Sequence, residues 1–212
     1  MAVTRENGMR PAPAREDNER PAFRRRHRCE DAAMTVLRTA HTSALTAAEL
    51  AAVRRLLDAA FEGDFSDDDW DHSVGGMHAL VLDGGELMAH GSLVQRRLLH
   101  SGRALRTGYV EAVAVRAGHR RRGHGSAVMA ALEHVLRHGA YELGALGAAD
   151  EAVPLYTGRG WQRWLGPSSV LAPAGIERTP DEDGCIYVLP VGPTALDLDG
   201  ELTCDWRPGD VW

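Results

Sequence analysis

An arginine- and glycine-rich segment, residues 113–126, carries the strongest chemical signal in the sequence. Its core is Arg120-x-x-Gly123-x-Gly125, between an apolar run that ends at Val115 and a helical pattern. Glycine lets backbone N–H groups crowd around an anion, and the positive end of the following helix faces the same anion. The spacing matches neither the dinucleotide-binding nor the P-loop fingerprint. The segment therefore predicts a turn that binds a pyrophosphate. The alternative is a plain turn that caps a surface helix.

A tyrosine about 30 residues further along the chain belongs to a second motif. Tyr156 stands in a short helical stretch that ends in a Gly-Trp pair at 160–161. Together the two motifs resemble the GCN5-related N-acetyltransferase (GNAT) superfamily over roughly residues 34–190. The resemblance implies acetyl-CoA as co-substrate, with its pyrophosphate on the 120–125 turn and its sulfur near Tyr156. The acetyl-CoA-binding residues implied by it are Val113, Val115, Arg120, Arg121, Arg122, Gly123, His124, Gly125 and Ser126.

Stretches outside these two motifs resemble a narrower family, the aminoglycoside 2'-N-acetyltransferases of mycobacteria and related bacteria. They include residues 61–65, 75–80, 108–111 and the ending 204–212. The resemblance covers nearly all of residues 34–212, and it extends to the last residue. The resemblance implies transfer of an acetyl group to the 2'-amine of an aminoglycoside, which inactivates the antibiotic.

Acidic side chains from several parts of the chain are the candidate substrate contacts. An aminoglycoside carries several ammonium groups, each of which a charge-assisted hydrogen bond would hold with about 1.5–3 kcal/mol. Taken alone, the acidic run 64–71 is more typical of a solvated helix start, and 204–212 of a loose tail, although Trp206 and Trp212 are unusually apolar for one. The substrate contacts implied by the resemblance are Asp64, Asp69, Glu111, Ala112, Glu182, Asp210 and the terminal carboxylate of Trp212.

Two positions depart from the pattern of that family. Residues 147–149 are Gly-Ala-Ala where hydroxyl residues are usual, so a candidate side-chain contact is missing. Glu182 stands where aspartate is usual. The charge is kept with a longer reach, which leaves the preference among aminoglycosides open.

The implied reaction needs a base, because an ammonium group cannot attack a thioester before it loses a proton. Glu111 is the candidate general base, and the resemblance suggests that it acts through a water molecule. The strand pattern predicts that Glu111 shares one face with Tyr109, Val113 and Val115.

Two further groups complete the expected mechanism. The backbone N–H of Val113 is the candidate donor to the oxyanion, and Tyr156 is the candidate acid that protonates the leaving thiolate. Structural alternatives remain open for two of these residues. Glu111 would then form an ion pair with Arg97 or Arg106, and Tyr156 would be a packing residue.

The pattern of apolar residues predicts the elements that must position these groups. Alternation predicts strands, helical spacing predicts helices, and Gly-Gly or Ser-Gly pairs predict tight turns. The predicted strands are 34–39, 77–82, 87–99, 105–115, 141–146, 170–172 and 185–190; the predicted helices are 46–61, a short acidic one after Ser66, 127–137, and 151–159 capped by Asp150. We expect an α/β fold with a mixed central sheet and helices on both faces. The resemblance implies the GNAT fold, with a splayed strand pair that receives acetyl-CoA.

Composition and charge narrow the remaining possibilities for this chain of 212 residues. Residues 1–33 are rich in Arg and Pro, which predicts a disordered extension before a single domain, 34–212. The whole chain has a net charge of −6, and residues 1–31 carry +2 of it. Residues 32–212 therefore carry −8, a charge that favours the binding of cations. The chain lacks a long apolar run and a signal-peptide pattern, so we expect a cytoplasmic protein. The spacing of its cysteines and histidines predicts no metal site.

Two other functions remain open at this stage. One is a GNAT N-acetyltransferase for another small polyamine or for a protein N-terminus. The other belongs to a different class, a CoA-sensing interaction or nucleic-acid-binding protein that uses the Arg-rich arm. The acids interspersed in that arm argue against phosphate binding, so we expect no nucleic acid and no membrane as a partner. The family resemblance implies a homodimer.

Overall fold

The computed structural model describes residues 34–193 and 195–212, and the predicted extension 1–33 lies outside them. The described residues form ten strands, four α-helices and three 3₁₀ turns. The strands are β1 Thr35–His41, β2 Met77–Asp83, β3 Glu86–His100, β4 Arg103–Val115, β5 Leu143–Gly147, β6 Gln162–Arg163, β7 Ser168–Ala172, β8 Gly175–Arg178, β9 Ile186–Pro190 and β10 Leu202–Asp205. The helices are α1 Ala47–Ala60, α2 Asp67–Ser73, α3 His124–His138 and α4 Val153–Thr157, and the turns are Thr42–Ala44, Asp150–Ala152 and Pro180–Glu182.

Most predicted elements are confirmed, with ends shifted by one to three residues. The predicted helix 151–159 is wrong in part, because a 3₁₀ turn precedes the shorter α4. Asp150 lies inside that turn and does not cap it; the cap residue is Ala149. The sequence patterns missed β6, β8 and β10. These strands have only two to four residues, too few for alternation to register.

The starts of α1 and α2 are fixed by capping boxes, as the sequence predicts for the acidic helix. Thr46 and Glu49 exchange side chain to backbone hydrogen bonds at the start of α1. Ser66 and Asp69 do the same at the start of α2. Each box satisfies backbone N–H groups that the first helical turn leaves without partners. Asp69, a predicted substrate contact, is therefore also the residue that fixes the start of its helix.

All ten strands belong to one sheet, whose main path is β6-β9-β5-β4-β3-β10-β7-β8. The long β3 also pairs with β2, which in turn pairs with β1. The pairs β4–β5 and β7–β10 are parallel, and the others are antiparallel. The sheet is therefore mixed, as predicted.

Helices cover both faces of this sheet, which confirms the predicted α/β arrangement. Leu132 of α3 packs with Val110 of β4 in one core, and Tyr156 of α4 belongs to the same core. Leu57 of α1 packs with Ala114 of β4 in a second core. Burial of these apolar surfaces holds the sheet between its helices.

Strands β4 and β5 are neighbours for only part of their length. Residues 107–109 of β4 pair with residues 143–145 of β5. Beyond that point β4 continues against β3, and β5 continues against β9 as far as Gly147. The two strands diverge into a wedge, so the expected splayed strand pair is present.

A β-bulge interrupts β4 directly after Glu111. Ser92 of β3 pairs with Glu111, and His90 pairs with Ala114. Gly91 alone therefore faces two residues of β4. A Cβ atom at Gly91 would lie 2.6 Å from Cγ1 of Val128 in α3, so glycine allows the helix to pack closely over the bulge.

The bulge reverses the alternation of side chains along β4. Ala112 has a φ of 51°, in the left-handed region that L-residues rarely adopt. After it, Val113 and Val115 pack against the core beneath α3, whereas Tyr109 belongs to a core cluster on the opposite face. The prediction that Val113 and Val115 share a face of the sheet with Tyr109 and Glu111 is therefore wrong. Side chains alternate between the two faces with a period of two, so one inserted residue moves those that follow to the other face. Glu111 precedes the bulge and stays on the Tyr109 face.

Replacing Gly91 by alanine is expected to destabilise the fold by about 1–3 kcal/mol, because the helix or the strand must move to accommodate the methyl group. Gly125→Ala is the matched control. A Cβ atom at Gly125 would lie 3.6 Å from its nearest neighbours, and alanine in the helix should add about 0.5–1 kcal/mol. Urea denaturation measures both changes. A Gly91→Ala variant as stable as the unmodified protein would contradict the close packing over the bulge.

Candidate active site

The turn between β4 and α3 presents backbone N–H groups at the start of a helix. The N-cap of α3 is Gly123, which has a φ of 87°, and Arg121 is also left-handed, with a φ of 61°. Within the described part of the chain, Gly123 supplies no side-chain cap for the first helical turn. The first N–H groups of α3 can therefore bind an anion. The arginines at 120–122 are exposed beside them.

A cavity of about 500 Å³ opens at the wedge between β4 and β5. Val113 and Tyr156 contribute to its wall, as does the Gly-Ala-Ala stretch at 147–149. Residues from the first loop, the central strand, a late turn and the chain end also reach it. Every predicted substrate contact lines this cavity: Asp64, Asp69, Glu111, Ala112, Glu182, Asp210 and Trp212.

Glu111 lies in the cavity wall with only 15% of its side chain exposed. Its Oε1 forms an ion pair of 2.5 Å with Nη1 of Arg207. The ion pair with an arginine that the sequence left open is therefore present, but its partner is neither Arg97 nor Arg106. Burial raises the pKa of the Glu111 carboxyl to about 7, although Arg207 and Arg96 each lower it. The loss of hydration outweighs the two positive charges here. Glu111 therefore titrates near neutral pH, where a general base works best.

Arg207, which the sequence patterns did not single out, connects Glu111 to the chain end. Its Nη2 donates to the backbone oxygen of Trp212 at 2.7 Å, and its Nε donates to the backbone oxygen of Asp210 at 2.9 Å. The side chain is 11% exposed. Glu111 and Arg207 are 96 residues apart in sequence, so no local pattern reveals their contact. The only available signal was the position of Arg207 within the ending that carries the family resemblance.

The C-terminal residues are ordered against the site. The indole of Trp212 is buried, and its Nε1 donates to Oγ1 of Thr179 at 2.9 Å. The backbone N–H of Trp212 donates to Oδ1 of Asp210 at 3.0 Å. The loose-tail interpretation is therefore wrong for this segment, whereas Trp206 is half exposed, at 51%.

Two guanidinium groups lie close to the ring of Tyr109. The Cζ atoms of Arg96 and Arg207 are 4.7 Å and 5.5 Å from its ring centroid. Arg96 is itself held by Asp205, 2.8 Å away. Cation–π attraction to the phenol ring favours both guanidinium positions. This contact contributes to holding Arg207 near Glu111.

The remaining acidic residues differ in how freely their carboxylates can meet a ligand. Asp64 is exposed. One oxygen of Asp69 accepts hydrogen bonds from the backbone and hydroxyl of Ser66, each at 2.8 Å, so part of its capacity is used by the capping box. Burial raises the pKa of Glu182, and Asp210 nearby raises it further. Carboxylates at this end of the cavity repel one another until a cation binds.

Tyr156 is 6% exposed, and burial raises the pKa of its hydroxyl to about 12. Its ring meets that of Trp161 edge to face, with centroids 6.3 Å apart. The segment is anchored by Glu133 of α3, which accepts two hydrogen bonds from Arg159 and one from the Trp161 indole. Glu133 was not predicted, because it appears in sequence as an ordinary helical glutamate. It fixes the position of α4, and hence of Tyr156, against α3.

Two kinds of site are not found in the described residues. No group of three or more His, Cys, Asp or Glu side chains is arranged to hold a metal ion in residues 34–193 and 195–212. Across the same residues, every helix is too short or too polar to cross a membrane.

Known proteins share both the sequence and the fold of this chain. The model of the acetyltransferase (GNAT) domain family matches residues 41–164. The aminoglycoside 2'-N-acetyltransferase of Mycolicibacterium fortuitum is 56% identical over 178 residues, which are 82% of this chain and 91% of that protein.

Solved structures show the same fold at low identity. A GNAT family acetyltransferase from Brucella melitensis in complex with acetyl-CoA superposes with a TM-score of 0.55 at 13% identity, covering 80% of this chain and 94% of that one. ElaA of Escherichia coli superposes with a TM-score of 0.52 at 21% identity, covering 73% and 97%. The expected GNAT fold is confirmed. The chain belongs to the GNAT acetyltransferases and, among them, to the family of the aminoglycoside 2'-N-acetyltransferases.

Proposed function

We propose that this enzyme transfers the acetyl group of acetyl-CoA to the 2'-amine of an aminoglycoside. The observation that carries the proposal is the convergence of carboxylates from separate parts of the chain on one cavity at the strand wedge. The name of the relative from M. fortuitum, which is 56% identical, states the same reaction. Both the acceptor and its 2' position follow from this combination.

The wedge and the 116–123 turn suit the two ends of acetyl-CoA. The N–H groups at the start of α3 and the arginines at 120–122 would bind the pyrophosphate. The backbone of β4 beyond residue 109, which β5 no longer pairs, would hydrogen-bond an extended chain laid in the wedge. The proposed contacts remain Val113, Val115 and residues 120–126. The Brucella GNAT structure that holds acetyl-CoA shares this fold.

The acidic wall would bind the acceptor. Asp64, Asp69, Glu182, Asp210 and Trp212 line the cavity, and the terminal carboxylate of Trp212 is a proposed contact. An aminoglycoside supplies several ammonium groups on a rigid skeleton, so several weak contacts act together without a large entropic cost. Such a wall would discriminate against neutral and anionic amine carriers.

Glu111 is the proposed general base. Because its pKa is raised to about 7, a large share of the Glu111 side chain is deprotonated at neutral pH. The same raised pKa makes the carboxylate a stronger base, better able to take a proton from an ammonium group. Arg207 forms an ion pair with the same carboxylate. An ammonium group of the substrate would take over part of that interaction when it binds.

Val113 and Tyr156 serve the later steps. The backbone N–H of Val113, next to the bulge, is the proposed donor to the oxyanion of the tetrahedral intermediate. Tyr156 keeps its proton at neutral pH, because burial raises its pKa to about 12. It therefore has a proton to give to the sulfur as the C–S bond breaks.

Residence in the cytoplasm and assembly as a homodimer are further proposals that rest on the family resemblance. Antibiotic inactivation would follow from acetylation, because the lost charge removes contacts that the drug makes with its target. The Arg-rich arm that suggested a nucleic-acid-binding protein lies outside the described residues.

The acceptor is tested by a matched pair of substrates. Kanamycin B carries a 2'-amine and should be acetylated there, whereas kanamycin A carries a hydroxyl at that position and should react far more slowly. NMR of the product identifies the modified nitrogen. Equal acetylation of both compounds, or faster acetylation of spermidine than of kanamycin B, would overturn the 2' assignment.

Glu111→Gln should lower kcat by about 10²–10⁴-fold, because the amide cannot accept the proton. In the unmodified enzyme, kcat/KM should rise with pH through about 7, the pKa of Glu111 in the free protein, since only the deprotonated carboxylate acts as base. That rise should be absent in the variant. Steady-state kinetics across the pH range measure both effects.

Glu182→Gln is the control for this variant, because it removes a charge from the same cavity. It should mainly raise the KM for the aminoglycoside and leave the rise of kcat/KM through about pH 7 in place. A Glu111→Gln enzyme with normal kcat would exclude Glu111 as the base.

Extending the chain beyond Trp212 by a few Gly and Ser residues should raise the KM for the aminoglycoside by about tenfold, the value of one charge-assisted contact. The extension replaces the carboxylate that Arg207 contacts at 2.7 Å with an amide. The KM for acetyl-CoA should not change, and the same tag at the N-terminus is the control. An unchanged aminoglycoside KM would remove the chain end from the substrate site.

A further inference from the structure

A buried chain of hydrogen bonds runs from the turn after β1 to the bulge of β4. Thr42 Oγ1 lies 2.7 Å from Nε2 of His78, and Nδ1 of His78 lies 2.9 Å from Nε2 of His90. Nδ1 of His90 lies 3.0 Å from the carbonyl oxygen of Ala112. His78 and His90 have no exposed surface. We call these three side chains and the Ala112 carbonyl the histidine chain.

The Ala112 carbonyl and the neutrality of both rings together fix the hydrogen-bond directions in the histidine chain, since burial lowers the pKa of His78 and of His90. A carbonyl oxygen only accepts, so Nδ1 of His90 carries the proton, and Nε2 of this neutral ring accepts. Nδ1 of His78 must then donate to His90, and Nε2 of His78 accepts from the Thr42 hydroxyl. Both rings are neutral with the proton on Nδ1.

The histidine chain cannot pass a proton to the active site, because it ends at a backbone carbonyl that has no proton to exchange. Burial lowers the pKa of His78 to about 4 and that of His90 to about 3, so neither ring is charged at neutral pH. Buried polar groups with complete hydrogen bonding make a local structure rigid and specific. The histidine chain can therefore stabilise the backbone conformation of Ala112.

Ala112 is the residue in the cavity wall whose conformation most needs support. Its φ of 51° costs an L-residue about 1–2 kcal/mol, and such conformations persist only where surrounding contacts hold them. The conformation of Ala112 sets the direction of the chain on both sides of it. On one side is Glu111, and on the other is the N–H of Val113.

We propose that His90, held by His78 and Thr42, is a positioning residue that fixes the β4 bulge and thereby the Glu111 carboxylate. The hydrogen bond to the Ala112 carbonyl holds the left-handed conformation, and the neutral, fully bonded ring pair keeps that donor in one orientation. The kinetic part of this inference rests on the proposed role of Glu111 as the base; the structural part does not.

The chain offers a matched control on the same strand. His100, at the far end of β3, is also buried, and its Nδ1 lies 3.0 Å from the backbone oxygen of Glu201. Its Nε2 accepts from the backbone N–H of Asp197. His100 therefore has the same tautomer and the same kind of bond as His90. It lies ten residues away in a strand, about 33 Å, and lines no part of the cavity.

Three variants test the proposal by kinetics. His90→Leu removes the donor to Ala112 and should lower kcat about 10- to 100-fold, the effect of displacing a catalytic group by about 1 Å. His90→Asn places an amide N–H near the position of Nδ1 and should recover most of that loss. His100→Leu should lose stability without losing kcat. If His90→Leu does not fold, Thr42→Val removes the first donor of the histidine chain and should lower kcat in the same direction.

NMR gives a readout that does not depend on catalysis. The imidazole ¹⁵N shifts of the unmodified protein should show His90 with its proton on Nδ1 and no titration down to about pH 5. The ¹³C titration of the Glu111 carboxyl should move in His90→Leu, because the carboxylate changes its distance to Arg207, and should not move in His100→Leu.

The outcomes separate the two proposals. A folded His90→Leu enzyme with normal kcat and an unmoved Glu111 titration would overturn the positioning role, as would an equal loss of kcat in His100→Leu. A moved titration together with normal kcat in Glu111→Gln would instead overturn Glu111 as base and leave the positioning of the bulge standing.

Discussion

The divergence of β4 from β5 after Tyr109 is the constraint on which the rest of the site depends. While parallel strands are paired, their backbone groups satisfy one another; where the strands part, the freed groups need another partner. The divergence is fixed, because β5 stays with β9 while β4 stays with β3. One feature thus supplies both the space for a ligand and the polar groups that line it. The cavity, the anion-binding turn and α4 are arranged around this wedge.

Electrostatics in the wedge is a balance between burial and two arginines. Loss of hydration alone would keep Glu111 neutral, and the positive charges of Arg207 and Arg96 act in the other direction. The result is a carboxyl group that changes charge near neutral pH. Because Arg207 also holds the chain end, the charge state of Glu111 and the position of Trp212 are coupled. Arg207 thus links the proposed base to the proposed substrate-binding wall.

Packing from both faces of the sheet keeps the bulge in β4 in place. From one face α3 approaches so closely that only glycine fits at position 91. From the other, the buried rings of His78 and His90 direct a donor at the Ala112 carbonyl. A residue in a left-handed conformation is costly, and it is tolerated where contacts on all sides determine it. The bulge separates Glu111, the proposed base, from the valines that follow it in sequence.

The sequence by itself determined the turn at 120–125 and most helices and strands, because these depend on neighbours in the chain. Through the family resemblance it also indicated residues that line the cavity, because related proteins share that pattern. Only the tertiary structure decided the rest. The bulge that turns Val113 away from Glu111 arises from pairing with β3, which leaves no mark on an alternating apolar run. The partner of Glu111 is an arginine 96 residues away, and Glu133 holds α4 through side chains 26 and 28 residues distant. A local pattern encodes the periodicity of an element, whereas the partner of a buried charge depends on which elements the fold brings together.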